Sequence, residues 1–377
     1  MNMYRVIAII RKEFIHILRD PRSLGMAIAM PILLIFLFGS SLSLDVDHVP
    51  LVVWDQNGTH ESREFIGRFT ASRYFDLNGH VTSYAEIEEA IDKREAILAL
   101  VIPREFSRKL ESGRKADVQL IADGSDANTA TIAIGYAQMV ADGYTSSLLL
   151  KAADQQGAKR VKIPVEVQPR VWFNQNMLAK NYIIPGLIAV IMMVISALLT
   201  SLTIAREWEN GTMEQLITTP LTPSELIVGK LTPYFAIGML DVVLAVLMGQ
   251  YLFEVPLRGN TALVFGMAAL FLPGALTMGM LISIMTRSQL LASQLAMVLT
   301  FLPSFLLSGF MYSIANMPIV IQGLTYLVPS RFFIVILKNI YLKGAGFAII
   351  LTEAGILLLF AVVLIVVANI KLKKRLV

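Results

Sequence analysis

Six long runs of predominantly apolar residues constrain this chain more than any other feature. They cover residues 23–44, 183–205, 231–253, 260–286, 288–312 and 347–368. Each can cross the roughly 30 Å hydrocarbon core of a bilayer, which takes about 20 apolar residues in a helix. Hydrophobic residues make up 55% of the 377-residue chain and charged residues 16%, too apolar a balance for one soluble core. The runs predict an α-helical integral membrane protein with six transmembrane helices.

Basic residues flank the first and the last run. Those before the first run are Arg5, Arg11, Lys12, Arg19 and Arg22, and those after the last run are Lys371, Lys373, Lys374 and Arg375. Because Lys and Arg in short flanks favour the cytoplasmic side, we expect both termini, including the basic tail 369–377, in the cytoplasm. Two cytoplasmic ends require an even number of spans. The expected location is the cell inner (plasma) membrane.

Residues 288–330 contain no charged side chain, so two crossings instead of one would fit there. Seven spans would then place the basic tail outside. We favour one span followed by a re-entrant or interfacial hairpin over residues 313–343, because Pro318, Gly323 and Pro329 interrupt the second half. Irregular backbone at membrane depth requires cover from protein or a water-filled cavity.

Residues 1–22 place apolar side chains at helical spacing and basic side chains on another face. This pattern is typical of a helix lying in the cytoplasmic membrane interface, where a basic face attracts anionic lipid headgroups. Alternatively, the basic residues only orient the first span. A cleaved secretory signal is disfavoured, because the uncharged run over 23–44 exceeds the usual length of its apolar region.

Residues 45–180 separate the first two spans and are long enough for one folded domain. Strand-like runs alternate there with amphipathic segments, which predicts a mixed α/β extracytoplasmic domain with helices covering a sheet. We expect strands at 49–54, 98–102 and 117–122, helices near 62–72, 84–97, 104–112 and 127–153, and a return to the membrane over 161–171. Without cysteine, packing must stabilise this domain.

A polar turn, residues 123–130, stands where a predicted strand ends and a long helix begins. Asp123 and Asp126 lie close enough in sequence to suggest a metal or catalytic site. Capping of the helix is the favoured interpretation, because such side chains accept backbone N–H groups at helix N-termini.

Motifs for catalysis and nucleotide binding are missing from the sequence. The P-loop pattern needs a glycine five positions before a Gly-Lys pair, and the pair Gly229-Lys230 lacks it. The four histidines show no metal-ligand spacing, and there is no cysteine. We therefore expect no catalytic residue, cofactor or metal on this chain, and no nucleic-acid partner.

Charged residues in the predicted spans are few, and such residues are costly and often functional. Lys230, at the edge of the third span, is expected to snorkel to the interface. Asp241 lines a substrate or proton path, or else is a buried carboxyl held by neighbouring helices. Glu353 lies in the outer part of the sixth span. A proton- or cation-coupled antiporter would use Asp241 and Glu353 as relays.

Residues 206–225, between the second and third spans, form a polar and acidic segment. Its charged residues are Arg206, Glu207, Glu209, Glu214 and Glu225. Gly211-Thr212 can end one helix and start a short one, which Thr219-Pro220 would stop. Acidic residues in this segment are unexpected, because cytoplasmic loops are usually enriched in basic residues. We expect a short surface helix that docks into a partner's groove, with a simple tight turn as the alternative.

At these residues the chain resembles the type-2 ABC-transporter permease family, and its bacterial drug-exporter-like members in particular. The family's loop after the second span reads E-x-G-T-x-E-x-L-x-x-T-P, matched here by Glu209, Gly211, Thr212, Glu214, Leu216, Thr219 and Pro220. The N-terminal segment is similar at Arg11, Lys12, Glu13, Arg19, Asp20 and Pro21. The turn at Asp123-Gly124-Ser125 with Asn128-Thr129-Ala130 is similar too. The resemblance covers essentially the whole chain.

The resemblance implies the permease subunit of an ATP-driven ABC exporter, in which two permease chains, identical or paralogous, work with two ATPase subunits that hold the ATP and magnesium. Residues 206–225 would be the ATPase-coupling loop, and the N-terminal helix would be a second contact with the ATPase. The hairpin over 314–330 would help to close an extracellular gate. A periplasmic adaptor is a further candidate partner.

The apolar spans suit an apolar or amphipathic cargo, drugs included, although they equally suit contact with lipid. A membrane-anchored receptor with an external ligand-binding domain remains an alternative. Such a receptor would tolerate loss of the cytoplasmic loop, whereas an exporter would not.

Overall fold

The structure is a computed structural model that describes residues 2–41, 48–155, 173–174 and 178–372. The chain divides into two compact units, one made of Met1–Ser43 with Arg170–Val377 and the other of Leu44–Pro169. The first unit is helical in its described parts, and the second contains a β-sheet.

Two consecutive helices open the chain, α1 (Met3–Arg19) and α2 (Pro21–Ser41). The Asn2 side chain caps α1 by accepting the N–H of Tyr4 at 3.1 Å. One stripe of α1 is buried, at Val6, Ile9, Glu13 and Ile17. A second stripe is apolar but exposed, at Tyr4, Ile7, Phe14 and Leu18. Thus α1 has one face packed on protein and a second apolar face that the described part of the chain does not cover.

The unit Leu44–Pro169 alternates strands and helices. They are β1 (Val49–Asp55), α3 (His60–Thr70), β2 (Phe75–His80), α4 (Tyr84–Asp92), β3 (Leu98–Ile102), α5 (Phe106–Glu111), β4 (Gln119–Ala122) and α6 (Ala127–Gln155). The strand order is β2-β1-β3-β4, with β1 parallel to both neighbours and β4 antiparallel to β3. The sheet is therefore mixed. One face packs on Phe65 and Tyr144, and the other on Ile87.

Two local features of this unit differ from the sequence prediction. The sequence analysis does not predict β2, whose six residues include Asp76, Asn78, Gly79 and His80 and of which only Phe75 is buried. Helix α4 ends at Asp92, before the predicted end at residue 97, since Arg94 adopts a left-handed φ of 58°. The predicted return segment, 161–171, lies outside the described residues.

The polar turn before α6 is a capping structure. Asp126 accepts the N–H of Thr129 at 3.3 Å, as helix capping predicts. The N–H of Ser125 donates to Oδ1 of Asp123 at 2.9 Å, and this hydrogen bond lowers the pKa of the Asp123 carboxyl below its ordinary value. Both carboxylates thus accept hydrogen bonds from backbone N–H groups close to them in the chain.

The helical unit continues with eight further helices. They are α7 (Ala179–Glu209), α8 (Thr212–Thr218), α9 (Pro223–Leu247), α10 (Thr261–Thr286), α11 (Gln289–Leu306), α12 (Ile319–Leu324), α13 (Pro329–Lys343) and α14 (Phe347–Lys371). α7 is the central helix and packs against α2, α9, α10, α11 and α13. The hydroxyl of Thr200 in α7 donates to the carbonyl of Leu276 in α10 at 2.7 Å, a polar link inside an apolar core.

Among the described residues, five helices are long and apolar enough to cross a membrane: α7, α9 with the π-helical turn that follows it, α10, α11 and α14. The count rises to six if Ile319–Leu327 and Pro329–Lys343, bent by 86° at their junction, form one broken span. The predicted first span contributes a shorter apolar stretch, Ala27–Ser41. The chain is thus a mostly helical, multi-pass membrane protein, and the count of six spans stays a prediction.

Some helix ends differ from the predicted span limits. α7 extends to Glu209 and α9 starts at Pro223, so both ends of the predicted 206–225 loop are helical. α11 ends at Leu306, before the predicted end at 312, and Gly309 then adopts a left-handed φ of 79°.

Candidate functional site

A short helix joins α7 to α9. Gly211 follows the end of α7 with φ 69°, a left-handed conformation that glycine adopts without strain. α8 then runs from Thr212 to Thr218, and Thr219 is extended before Pro220. The short helix expected from the sequence therefore lies at these residues.

Thr212 does not cap α8, contrary to the expectation. The N-cap position is occupied by Gly211, which has no side chain to form a capping hydrogen bond. The Thr212 hydroxyl instead donates to the Glu207 carboxylate. Glu214 stands in the first turn of α8, where the helix dipole favours negative charge, and its side chain is exposed.

One face of α8 is held by the protein and the other is open. Met213 is fully buried, and Leu216 packs against the core of the helical unit. Glu214, Gln215 and Thr218 are exposed. Among the described residues, Glu214 has no ion-pair partner.

A buried ion cluster lies behind α8 and consists of Glu13 in α1, Glu207 in α7 and Lys230 in α9. Lys230 Nζ is 2.7 Å from Glu13 Oε1 and 2.9 Å from Glu207 Oε1. All three residues are buried, with Lys230 only 1% exposed. The expectation that Lys230 snorkels to the membrane interface is therefore wrong, because α1 covers it and supplies a carboxylate.

The approach of α1 to α9 depends on Gly229. A Cβ atom at this position would lie 2.7 Å from Cβ of Ile9, closer than real side-chain carbons come. The glycine thus lets the buried stripe of α1 reach the surface of α9 just where Lys230 meets Glu13. The Gly229-Lys230 pair, which is not part of a P-loop, therefore has a structural role, since the glycine admits α1 and the lysine binds it.

Lys12 joins the cluster from its exposed side. Its Nζ is 2.9 Å from Glu207 Oε1 and 3.8 Å from Glu13 Oε1, while half of its side chain remains exposed. Thus Lys12 of the N-terminal segment binds Glu207 in the last turn of α7, while Glu13 binds Lys230 in α9.

Arg206 connects the junction of α1 and α2 to α11. Its Nη1 is 3.5 Å from Asp20 Oδ2 and 3.0 Å from Nε2 of His16. Its Nε donates to Oε1 of Gln289 at 3.3 Å. The last turn of α7 is therefore fixed from two sides.

Glu209 holds the start of α11. Its carboxylate accepts the backbone N–H of Gln289 at 2.8 Å and the side-chain amide of Gln289 at 2.5 Å. Next to it, the guanidinium of Arg287 lies 4.6 Å from the ring centroid of Trp208, a cation–π distance. The turn between α10 and α11 is thus attached to the end of α7.

Glu225 ties the first residues of the chain to α9. It forms a capping box with Thr222, and its Oε1 accepts the N–H of Asn2 at 2.5 Å. Arg5 lies 4.0 Å from Oε2 of Glu225 and donates to the carbonyl of Pro220.

The acidity of residues 206–225 therefore has an explanation within the chain. Glu207, Glu209 and Glu225 all bind groups of the same protein, so a partner is not needed to account for them. Only for Glu214 does the described part of the chain show no such group. For Glu207 and Glu225, the sequence signal was the opposite charge of residues 1–22, which the composition of the loop alone does not reveal.

The N-terminal residues that resemble the family fall into two groups in the structure, those that contact other helices and those that are exposed. Lys12, Glu13 and Asp20 bind to α7 or α9, and Pro21 starts α2. Arg11 and Arg19 are exposed, and neither forms an ion pair with the described residues.

Two acids lie apart from this cluster. Asp241, inside α9, is 0% exposed, and neither carboxylate oxygen has a hydrogen-bond partner in the described structure. Glu353, in α14, is partly buried and its Oε2 likewise lacks one. Within the described ranges, no three His, Asp or Glu side chains are grouped so as to hold a metal ion.

Comparison with known proteins identifies the family. The model of the family described as "ABC-2 family transporter protein" matches residues 21–370. The chain is 38% identical, over all of its length and 98% of the relative's, to the "Probable multidrug ABC transporter permease YbhS" of Escherichia coli strain K12. It is 31% identical to the same strain's "Probable multidrug ABC transporter permease YbhR" over 92% of each chain.

A third relative covers nearly as much of the chain. The "Linearmycin resistance permease protein LnrN" of Bacillus subtilis strain 168 is 24% identical over 96% of this chain and 97% of its own. The family model covers α7 and α9, which carry Glu207 and Lys230, and it begins after α1, which carries Glu13. This chain is a member of the ABC-2 transporter family.

Proposed function

We propose that this chain is the membrane permease subunit of an ATP-driven exporter, and that α8 docks onto a separate ATPase subunit. In this arrangement α2, α7, α9, α10, α11 and α14 cross the inner membrane, with both termini and α8 in the cytoplasm and the α/β unit outside. The cargo would be an apolar or amphipathic compound. Support comes from the relatives, two of which are named as multidrug permeases.

The observation that carries this proposal is the way in which the rest of the protein holds α8 in place. Its exposed face, with Glu214, offers a surface to a partner, while its inner face is bound to the protein. Glu207 links α8 to α9 through Lys230, and Glu209 links the end of α7 to α11 through Gln289. Movement of α8 would therefore be transmitted through these hydrogen bonds to three membrane helices, α7, α9 and α11.

ATP binding and hydrolysis would take place on the partner, since the sequence of this chain has no P-loop. The exposed side of α1 would add a second contact, for which Arg11 and Arg19 are available. Two permease chains, identical or paralogous, would pair in the bilayer. The bent segment α12–α13 would lie at the outer end and help to close the path.

The test is copurification. A tagged chain, extracted from its own cells in mild detergent, should bring an ATPase subunit with it, identified by mass spectrometry. E214K should lose that subunit, because it reverses the one charge that α8 presents. E88K makes the same change on exposed α4 and should retain it. Recovery of both proteins without any ATPase would contradict the proposal.

A second candidate function, proton- or cation-coupled antiport, draws support from Asp241. A buried carboxyl without a partner is costly within a membrane and is often part of an ion path. This mechanism needs no ATPase, so transport driven by an ion gradient alone would favour it.

A further inference from the structure

A cavity beside the ion cluster is the feature that the proposed function leaves unused. It encloses about 130 Å³ between α1, α2, α7 and α9. We propose that it binds a monocationic amphiphile, a protonated amine that carries a short alkyl chain or a single ring. That this ligand represents the exporter's cargo rests on the proposed function, but its binding does not.

The walls of the cavity suit the apolar part of such a ligand. They are formed by Leu24, Ala27, Leu199, Leu202, Tyr234 and Ile237. An apolar cavity of about 150 Å³ takes up a benzene molecule. The enclosed part of this cavity therefore has room for one ring or a short chain, and a multi-ring compound would have to extend beyond it.

The polar end of the cavity presents an unused carboxylate oxygen. Glu13 lines the cavity and is only 3% exposed. Its Oε1 binds Lys230 and faces Lys12, whereas its Oε2 has no hydrogen-bond partner in the described residues. A hydrogen bond to a charged group is worth more than one between neutral groups, so a donor that enters the cavity would gain by reaching this oxygen. A protonated amine supplies both that donor and the opposite charge, the stronger kind of hydrogen bond.

The charges that line the cavity favour a cation over an anion. Its acids are Glu13, Asp20 and Glu207, and its strong bases are Arg206 and Lys230. Both bases are already paired, Lys230 with two carboxylates and Arg206 with Asp20. His16 accepts from Arg206 through Nε2 when neutral, so it adds no charge in that form. Lys12 borders the cluster but is half exposed to water, which screens its charge.

The same balance argues against a zwitterionic phospholipid as the occupant. Its ammonium group would suit Glu13, but its phosphate would then meet Glu207 and Asp20, and the two strong bases that the described residues place in the cavity wall, Arg206 and Lys230, already have carboxylate partners. The proposal is therefore a single-chain cation that enters from the inner leaflet, where the exposed apolar stripe of α1 would lie.

The chain itself makes the test straightforward, because it contains no cysteine. Leu202→Cys places one thiol in the wall of the cavity, and Leu199→Cys places a second thiol there in a separate protein. Leu295→Cys, on the exposed side of α11, is the control position. The purified proteins are treated with N-ethylmaleimide while hexylammonium, hexanol, hexanesulfonate or dihexanoylphosphatidylcholine is titrated in.

Hexylammonium should protect the thiols at 199 and 202 at a concentration about tenfold below that of the other three compounds, the gain expected of one charge-assisted hydrogen bond. It should not protect the control. E13Q, which keeps an oxygen for Lys230 but turns the free atom into a donor, should abolish the advantage.

Equal protection by hexanol or hexanesulfonate, stronger protection by the phospholipid, or an advantage that survives E13Q would each overturn the proposal. The assay needs no ATPase. A failure here therefore leaves the copurification result untouched, and a failure of copurification leaves this site untouched.

Discussion

Lys230 in α9 donates a 2.7 Å hydrogen bond to Glu13 in α1, although 217 residues separate them in the chain. The same ammonium group reaches Glu207 at the end of α7. One buried cation thus joins the N-terminal helix to two membrane helices and, through Thr212, to α8.

K230M should lower the stability of the helical unit substantially. The substitution leaves buried Glu13 without its close cation, and removing one partner of a buried ion pair typically costs about 3–5 kcal/mol. Thermal unfolding of the detergent-solubilised protein should show a clearly lower midpoint. K93M breaks the exposed pair with Glu89 and is the matched control, for which no shift is expected. Equal midpoints for the two variants would contradict the cluster's structural role.

G229A should loosen α1 from α9, because the added methyl carbon meets Ile9 at 2.7 Å. We expect faster tryptic cleavage after Arg11 and Lys12 in this variant. G266A, in α10, adds the same carbon where no atom lies within 4 Å and should leave cleavage unchanged. If G229A digests as slowly as the wild type, then α1 does not depend on this close approach.

E209A should uncouple transport from ATP hydrolysis, because it removes both hydrogen bonds between the end of α7 and the start of α11, and Q289A should do so less, because the backbone N–H of residue 289 still reaches Glu209. The double variant should be no worse than E209A alone, as expected of two residues that act through one contact. The ratio of cargo exported to ATP hydrolysed in proteoliposomes measures this. Additive losses would show that the two residues act separately.

D241N should export at the wild-type rate. The ABC mechanism needs no proton relay in α9, and the substitution removes only the cost of a buried ionisable group with no partner. ATP-driven export by vesicles without an ion gradient is the measurement. Loss of export in D241N with ATPase activity intact would instead point to antiport chemistry.

Much of the helical unit could be predicted from the sequence, because a span needs only a long apolar run. The run over 260–286 corresponds closely to α10, Thr261–Thr286. It ends just before Arg287, which is the first charged residue after the run. Likewise the glycine and proline around α8 define a short helix through their backbone preferences.

The polar cluster could not be predicted in the same way. Pairing between Lys230 and Glu13 is a long-range tertiary contact with no local period, and the hydropathy pattern placed Lys230 at a lipid interface. In the sequence, the signal for this cluster was the presence of a lysine and several acidic residues beside apolar runs, where charged residues are unusual. Only the packing of α1, which Gly229 permits, shows that these charges meet each other.

The central claim is that α8 transmits the work of an ATPase through Glu214, and ATP-driven export in proteoliposomes tests it most directly. Wild-type and E88K permease, reconstituted with the copurified ATPase subunit, should export cargo when ATP is added. E214K, inserted in equal amount, should fail to export and should not stimulate hydrolysis. Normal ATP-dependent export by E214K would contradict the role of α8.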